Sequence, residues 1–114
     1  FRIYAPEKIE YAYNRYTNEA YRLYNVLEKR LSQSAFLAGD EYSIADIACF
    51  PWTRSAANQG IQWEEFPHTK KWFDTINERP AVQRGLQVLA KQRKPLTDDK
   101  AKDILFGKTQ YAKH

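Results

Sequence analysis

One cysteine, Cys49, is all that this chain of 114 residues contains. No internal disulfide can therefore form, and a reducing, cytoplasmic setting is expected. Histidine is almost as scarce: His68 and His114 are the only two. Neither stands within a helical turn of a cysteine or a paired carboxylate, so no metal site is expected. The chain has no run of eighteen apolar residues and no charged-then-apolar leader at Phe1, so no membrane association or secretion is expected. Gly-x-Gly-x-x-Gly and Walker sequences are absent, which leaves nucleotide phosphate binding without a motif. Asp98, Asp99 and Asp103 lack the glycine and terminal glutamate of a calcium loop and read as solvated surface. No period-two alternation, internal repeat or low-complexity stretch occurs, so neither strands nor a flexible linker is expected.

What is present suits a helical domain. The mean hydropathy of -0.75 is low, yet three tryptophans, eight tyrosines and six phenylalanines can each bury a large area. A chain of this size buries about 60–70% of its unfolded surface, enough for one modest core. The net charge of +4 favours acidic partners only weakly.

Ile9, Tyr13, Tyr16, Ala20, Leu23, Tyr24, Leu27 and Leu31 recur every three or four residues. That spacing predicts one helix of about six turns with this stripe packed inward, leaving Tyr11 and Tyr21 off the stripe and free to face a ligand cleft or a second subunit. A second helix is expected over residues 44–58, bent at Pro51 and ended by Gly60. A third is expected over residues 67–78, with Pro67 in its first turn and Trp72, Phe73 and Ile76 inward. Arg79-Pro80 stops it and opens a fourth that carries Val82, Leu86 and Leu89 inward as far as Lys94-Pro95. Thr97 is the expected cap of a short last helix whose apolar side is Ala101, Ile104 and Leu105, with Gly107 at its end and a loose tail from Lys108.

The most specific local signal is Leu37-Ala38-Gly39-Asp40-Glu41-Tyr42-Ser43-Ile44-Ala45-Asp46. A glycine turn runs into Ser43-x-x-Asp46, the spacing of a reciprocal capping box in which each side chain serves the other residue's backbone N–H. Tyr42 and Ile47 flank it at the positions of a hydrophobic staple.

This run, followed by Cys49-Phe50-Pro51-Trp52, resembles the start of the central helix in the C-terminal domain of glutathione transferases. Ile9-Glu10-Tyr11-Ala12-Tyr13-Asn14-Arg15-Tyr16 and the stretch from Phe66-Pro67 to Arg84-Gly85 are similar to the same family and point to its nu-class bacterial branch. The resemblance covers residues 1–93 and implies an all-α helical bundle there, with residues 94–114 as an extension. It further implies a parent enzyme that conjugates glutathione to electrophiles or reduces disulfides with it, working as a cytoplasmic homodimer. In that family the thiol-activating residue belongs to a thioredoxin-like domain, which this chain does not show, and the first helix of the helical domain is missing too. The chain is therefore expected to be an inactive fragment with no catalytic residue of its own. Glutathione is a co-substrate, and no cofactor is expected.

The resemblance places Arg15 at the glutathione site. A guanidinium can hold a carboxylate through two parallel hydrogen bonds; Arg15 can equally pair with Glu19 one turn on, as can Arg22. Asn14 departs from the acidic residue common in that slot. Tyr4, Tyr11 and Trp52 are candidates for an aromatic wall around the second substrate, and Tyr4 and Trp52 could equally be core. Cys49, among apolar neighbours, reads as an inert buried thiol. Two other functions fit a helical domain of this kind: a protein interaction module indifferent to glutathione, and nucleic-acid binding through the basic residues and tyrosines of the first helix. No motif supports the latter, and no nucleic-acid partner is expected.

Overall fold

The structure, a computed structural model, describes residues 1–5, 7–92 and 98–107. Six α-helices form among these residues: α1 (Glu10–Leu31), α2 (Ile44–Thr53), α3 (Ala56–Gln59), α4 (Pro67–Asn77), α5 (Pro80–Gln87) and α6 (Asp99–Phe106). Short 3₁₀ turns stand at Trp63–Glu65 and Ala90–Gln92. No strand forms among the described residues, and the only bridge is an isolated pair between Phe36 and Gly39. The fold is all-α, as the periodicity predicts. The chain separates into two compact units, Phe1–Gln83 and Arg84–His114.

In the first unit the core has two parts. Tyr24, Ala56, Ile61 and Phe66 form one, with Ala20, Tyr21 and Trp63 packed against it. Leu31, Phe50, Trp72 and Ile76 form the other, which Phe73 and Val82 also pack against. Phe73 joins them: its ring centroid lies 5.1 Å from that of Phe50 and 5.1 Å from that of Trp63. Ile76 and Phe66 are 0% and 2% exposed, and truncating either to alanine is worth about 2–5 kcal/mol in cores of this kind.

Several expectations are corrected. Tyr16 and Leu23 of the α1 stripe are 59% and 49% exposed, because both border an open groove between α1 and α2 rather than the packed core. The helix expected over residues 44–58 divides into α2 and α3. The Trp52 carbonyl accepts from the Ser55 N–H at 3.3 Å, the Ser55 hydroxyl at 2.9 Å and the Gln59 side-chain amide at 3.2 Å. Those side chains satisfy an α2-end carbonyl that would otherwise continue the helix ladder. Gly60 ends α3 with φ +82, the left-handed region glycine enters without strain. Ile47 closes no staple, being 54% exposed, while Tyr42 packs edge-on against Phe36 at 5.8 Å and beneath the Arg79 guanidinium at 4.0 Å. Proline opens α4 and α5 as expected.

In the second unit, Leu89 is not carried inward. It takes φ +54 just after α5 ends and is 63% exposed, since a left-handed residue ends the helical face. Ile104 and Leu105 are likewise 55% and 48% exposed. Asp98 caps α6, accepting from the Lys100 N–H at 3.3 Å, and Gly107 follows its last turn. Thr97, Lys94-Pro95, the expected division at residues 93 and 94, and the tail from Lys108 lie outside the described residues.

Candidate functional site

The capping box at residues 43–46 is present and does more than start α2. Asp46 is fully buried. Its Oδ2 accepts from the Ser43 N–H at 2.9 Å and the Ser43 hydroxyl at 3.2 Å, while Ser43 Oγ accepts from the Ala45 N–H at 3.2 Å. Oδ1 accepts from the Leu37 N–H at 3.0 Å and the Trp72 indole N–H at 2.8 Å. One carboxylate thus ties the turn before α2, the first turn of α2 and the middle of α4. Burial alone would push its pKa up, but these donors hold it below the ordinary carboxylate value.

A second carboxylate does the same for α4 from a distance. Glu28, on α1, accepts from the His68 N–H at 3.0 Å, the Thr69 N–H at 2.8 Å and the Thr69 hydroxyl at 2.7 Å, and its Oε1 lies 2.6 Å from His68 Nδ1. Its pKa, raised by burial, is brought below the ordinary value by the same donors. A negative group at a helix N-terminus is favourable for the orphan N–H groups and the dipole alike. Nothing in the local spacing points to Glu28, because its partners lie about forty residues along the chain.

Arg15 lies on α1 with its side chain 58% exposed, 3.7 Å from Glu19. Glu19 is taken up by Arg22, which donates from Nε and an Nη at 2.8 Å each, and Arg22's hydrogen bonding holds the Glu19 pKa below its usual value. The bidentate partner of Glu19 is therefore Arg22, and Arg15 makes only the longer contact. Its guanidinium retains donor capacity on an exposed face.

Two clefts lie beside this helix in the first unit. The first, of about 330 Å³, runs between residues 1–4 and the α1–α3 face and includes Tyr4, Tyr13 and Thr17. At its edge Arg2 donates to the Tyr13 hydroxyl at 2.6 Å, and Phe1 stacks on Tyr16 at 5.1 Å. The second, of about 500 Å³, is an apolar groove between α1 and α2 that includes Leu23, Val26, Cys49 and Trp52, with Glu19 at its rim. Both are bounded by Tyr16, Ala20 and Gln59, so they adjoin.

The structure thus brings Tyr4 and Trp52 into neighbouring clefts, and Glu19 connects the second to Arg15. Neither aromatic is core: Tyr4 is 44% and Trp52 75% exposed, each bordering an open cleft rather than the packed interior. Tyr11, 81% exposed, lines neither cleft. Tyr21 faces inward, donating to the Gly60 carbonyl at 3.3 Å and to Glu65 at 3.0 Å. The Cys49 thiol is half-buried, and burial together with the nearby Asp46 charge raises its pKa. Among the described residues no group of three histidine, cysteine or acidic side chains is placed to hold a metal ion, and no helix is long and apolar enough to cross a membrane.

Comparison with known proteins bears on the same helices. Residues 2–80 match the family described as glutathione S-transferase, C-terminal domain. The chain is 43% identical over 105 residues to the disulfide-bond oxidoreductase YghU of Escherichia coli, covering 86% of this chain and 36% of that protein. It is 48% identical over 82 residues to the disulfide-bond oxidoreductase YfcG of the same organism, covering 72% of this chain and 38% of that protein. A glutathione S-transferase domain-containing protein of Dictyostelium discoideum is 42% identical over 85 residues, covering 72% of this chain and 33% of that protein. The chain therefore spans little more than a third of these relatives' length. On these matches and its all-α architecture, the chain belongs to the glutathione S-transferase family, as a C-terminal helical domain.

Proposed function

We propose that this domain is the substrate-shaping half of a cytoplasmic, homodimeric, glutathione-dependent enzyme that transfers glutathione to electrophiles or reduces disulfides with it. The observation that carries the reading is the placement of Arg15 3.7 Å from Glu19, but not locked by it, with Glu19 itself at the rim of an apolar groove. An arginine there can take a glutathione carboxylate in two parallel hydrogen bonds, while the clefts containing Tyr4 and Trp52 receive the apolar part of the second substrate. Tyr11, one turn before Arg15 on the same helix face, is the third aromatic assigned to the second-substrate side on this reading. The resemblance of the chain to two proteins named disulfide-bond oxidoreductases favours disulfides as that second substrate. Residues 1–93 form the helical domain on this reading, and residues 94–114 extend it. The thiol-activating group comes from outside these 114 residues: Cys49 is held protonated by its surroundings, and burial pushes the Tyr24 phenol up to about 12.

The test is the glutathione dependence of disulfide reduction by the complete enzyme purified from its source. Arg15→Ala is expected to raise the KM for glutathione about tenfold, the worth of a charge-assisted hydrogen bond, with kcat little changed. An unchanged KM would remove Arg15 from the site.

A further inference from the structure

Of the residues one turn from Arg15 on α1, namely Tyr11, Ala12, Asn18 and Glu19, only Glu19 is charged. The same holds for Arg22, whose neighbours at that spacing are Asn18, Glu19, Asn25 and Val26. One carboxylate therefore stands between two guanidiniums, and the structure divides it unevenly. Arg22 donates from Nε to Oε2 and from an Nη to Oε1, at 2.8 Å each, so its fork closes on both oxygens. An Arg15 Nη stops 3.7 Å from Oε2, beyond hydrogen-bond distance.

The division has a helical cause. An acidic residue pairs better with a basic one that follows it than with one that precedes it, since that order also suits the helix dipole. Glu19 precedes Arg22 and follows Arg15. Its side chain is 33% exposed, against 61% for Arg22 and 58% for Arg15, so the carboxylate is the most enclosed of the three groups, at the rim of the α1–α2 groove. The hydrogen bonding of Arg22 holds the Glu19 pKa below its ordinary value, and the group is an anion at neutral pH. Released by Arg22, that anion has one other cation within a turn of α1, which is Arg15.

We propose that Arg22 is a positioning residue for the glutathione contact: by occupying both oxygens of Glu19, it keeps the Arg15 guanidinium free to take a carboxylate of glutathione. Its action runs through Glu19. Loss of Arg22 has two effects of the same sign. Glu19 closes the 3.7 Å gap and takes Arg15 for itself, and its charge, no longer matched, repels a carboxylate arriving beside it. Both weaken glutathione binding, and neither bears on activation of the thiol. The inference rests on reading Arg15 as the glutathione contact, and it extends that reading to the residues that set the availability of Arg15.

The experiment is steady-state kinetics of glutathione-dependent disulfide reduction by the complete enzyme, comparing Arg15→Ala, Arg22→Ala, Glu19→Gln and the paired variant Glu19→Gln with Arg22→Ala. Arg22 is exposed, so its truncation leaves the core untouched. Arg22→Ala is expected to raise the KM for glutathione about threefold, the size of one exposed ion pair, with kcat unchanged. Glu19→Gln should not raise KM. The paired variant should return KM to that of the unaltered enzyme, because without the carboxylate nothing competes for Arg15. A merely structural role for Arg22 would give no such recovery. An unchanged KM in Arg22→Ala, alongside a raised KM in Arg15→Ala, would overturn the role of Arg22 and leave the Arg15 contact standing. A raised KM that persists in the paired variant would overturn it too, since Arg22 would then act without Glu19. An unchanged KM in Arg15→Ala would remove the contact itself, and the role of Arg22 with it.

Discussion

At the scale of single residues, Asp46 is where sequence and structure bear most heavily on one atom group. The spacing Ser43-x-x-Asp46 is legible because a capping box is local: both partners lie within one turn, and only residue types and separation matter. What the spacing does not reveal is that the same carboxylate takes the Leu37 N–H and the Trp72 indole, since a hydrogen bond across 26 residues leaves no periodic trace. Its replacement is therefore costlier than loss of a cap alone, which is about 1 kcal/mol. Asp46→Ala leaves the buried Trp72 indole and the part-buried Leu37 amide without that acceptor, and a loss of about 2–5 kcal/mol is expected in chemical denaturation. Ser43→Ala should lose only the cap. The pH dependence follows in sign. A carboxyl whose pKa is depressed by folding stabilises the native state above the unfolded value, about 4, and that stability disappears as pH falls through the lower native value. Asp46 and Glu28 are both depressed. Melting temperature is therefore expected to drop as pH falls from 5 to 3, and Asp46→Asn should flatten that drop; an unaltered slope in the variant would remove Asp46 as its source.

Among the elements, the helices were readable wherever the chain signals them within one turn: Pro67 and Pro80 at helix starts, Gly60 at an end, and the 22-residue α1 from its apolar stripe. The break between α2 and α3 was not, because Ser55 and Gln59 act there through side-chain bonds to one carbonyl rather than through a proline or glycine. The face of α1 was half legible. Tyr24 and Leu31 are buried as the stripe predicts, whereas Leu23 and Tyr16 border open clefts, and periodicity reports an apolar face without saying what covers it. Glu28 was hidden for the same reason as the outer contacts of Asp46. Its role belongs to the element scale, since it fixes the start of α4 to the body of α1. Glu28→Gln keeps the size but exchanges one acceptor oxygen for a donor nitrogen facing donors. A stability loss of about 1–3 kcal/mol is expected, together with faster hydrogen exchange at His68 and Thr69 than at Ile76. Uniform acceleration along α4 would instead mean that the helix start has no separate anchor.

At the scale of the molecule, the residues proposed for the site and the contacts that serve stability are different sets within the first unit. Arg15, Glu19 and the two clefts gather around α1, while the strongest buried polar contacts, at Asp46 and Glu28, face the opposite task of holding α1, α2 and α4 together. Binding and chemistry are separable on this plan. Attack by glutathione requires its thiolate, and a thiol is activated by a donor or cation that stabilises the charged form. Within the described residues the hydroxyls and thiol with shifted pKa values all move the other way: Cys49 upward by burial, Tyr21 upward by its bond to Glu65, and Tyr24 upward by burial to about 12. The 114-residue chain is accordingly expected to show no conjugation of glutathione to a chromogenic electrophile above the buffer rate at pH 7. Stopped-time absorbance with and without the chain measures this directly, and a rate proportional to chain concentration would place the activating group inside the helical domain after all.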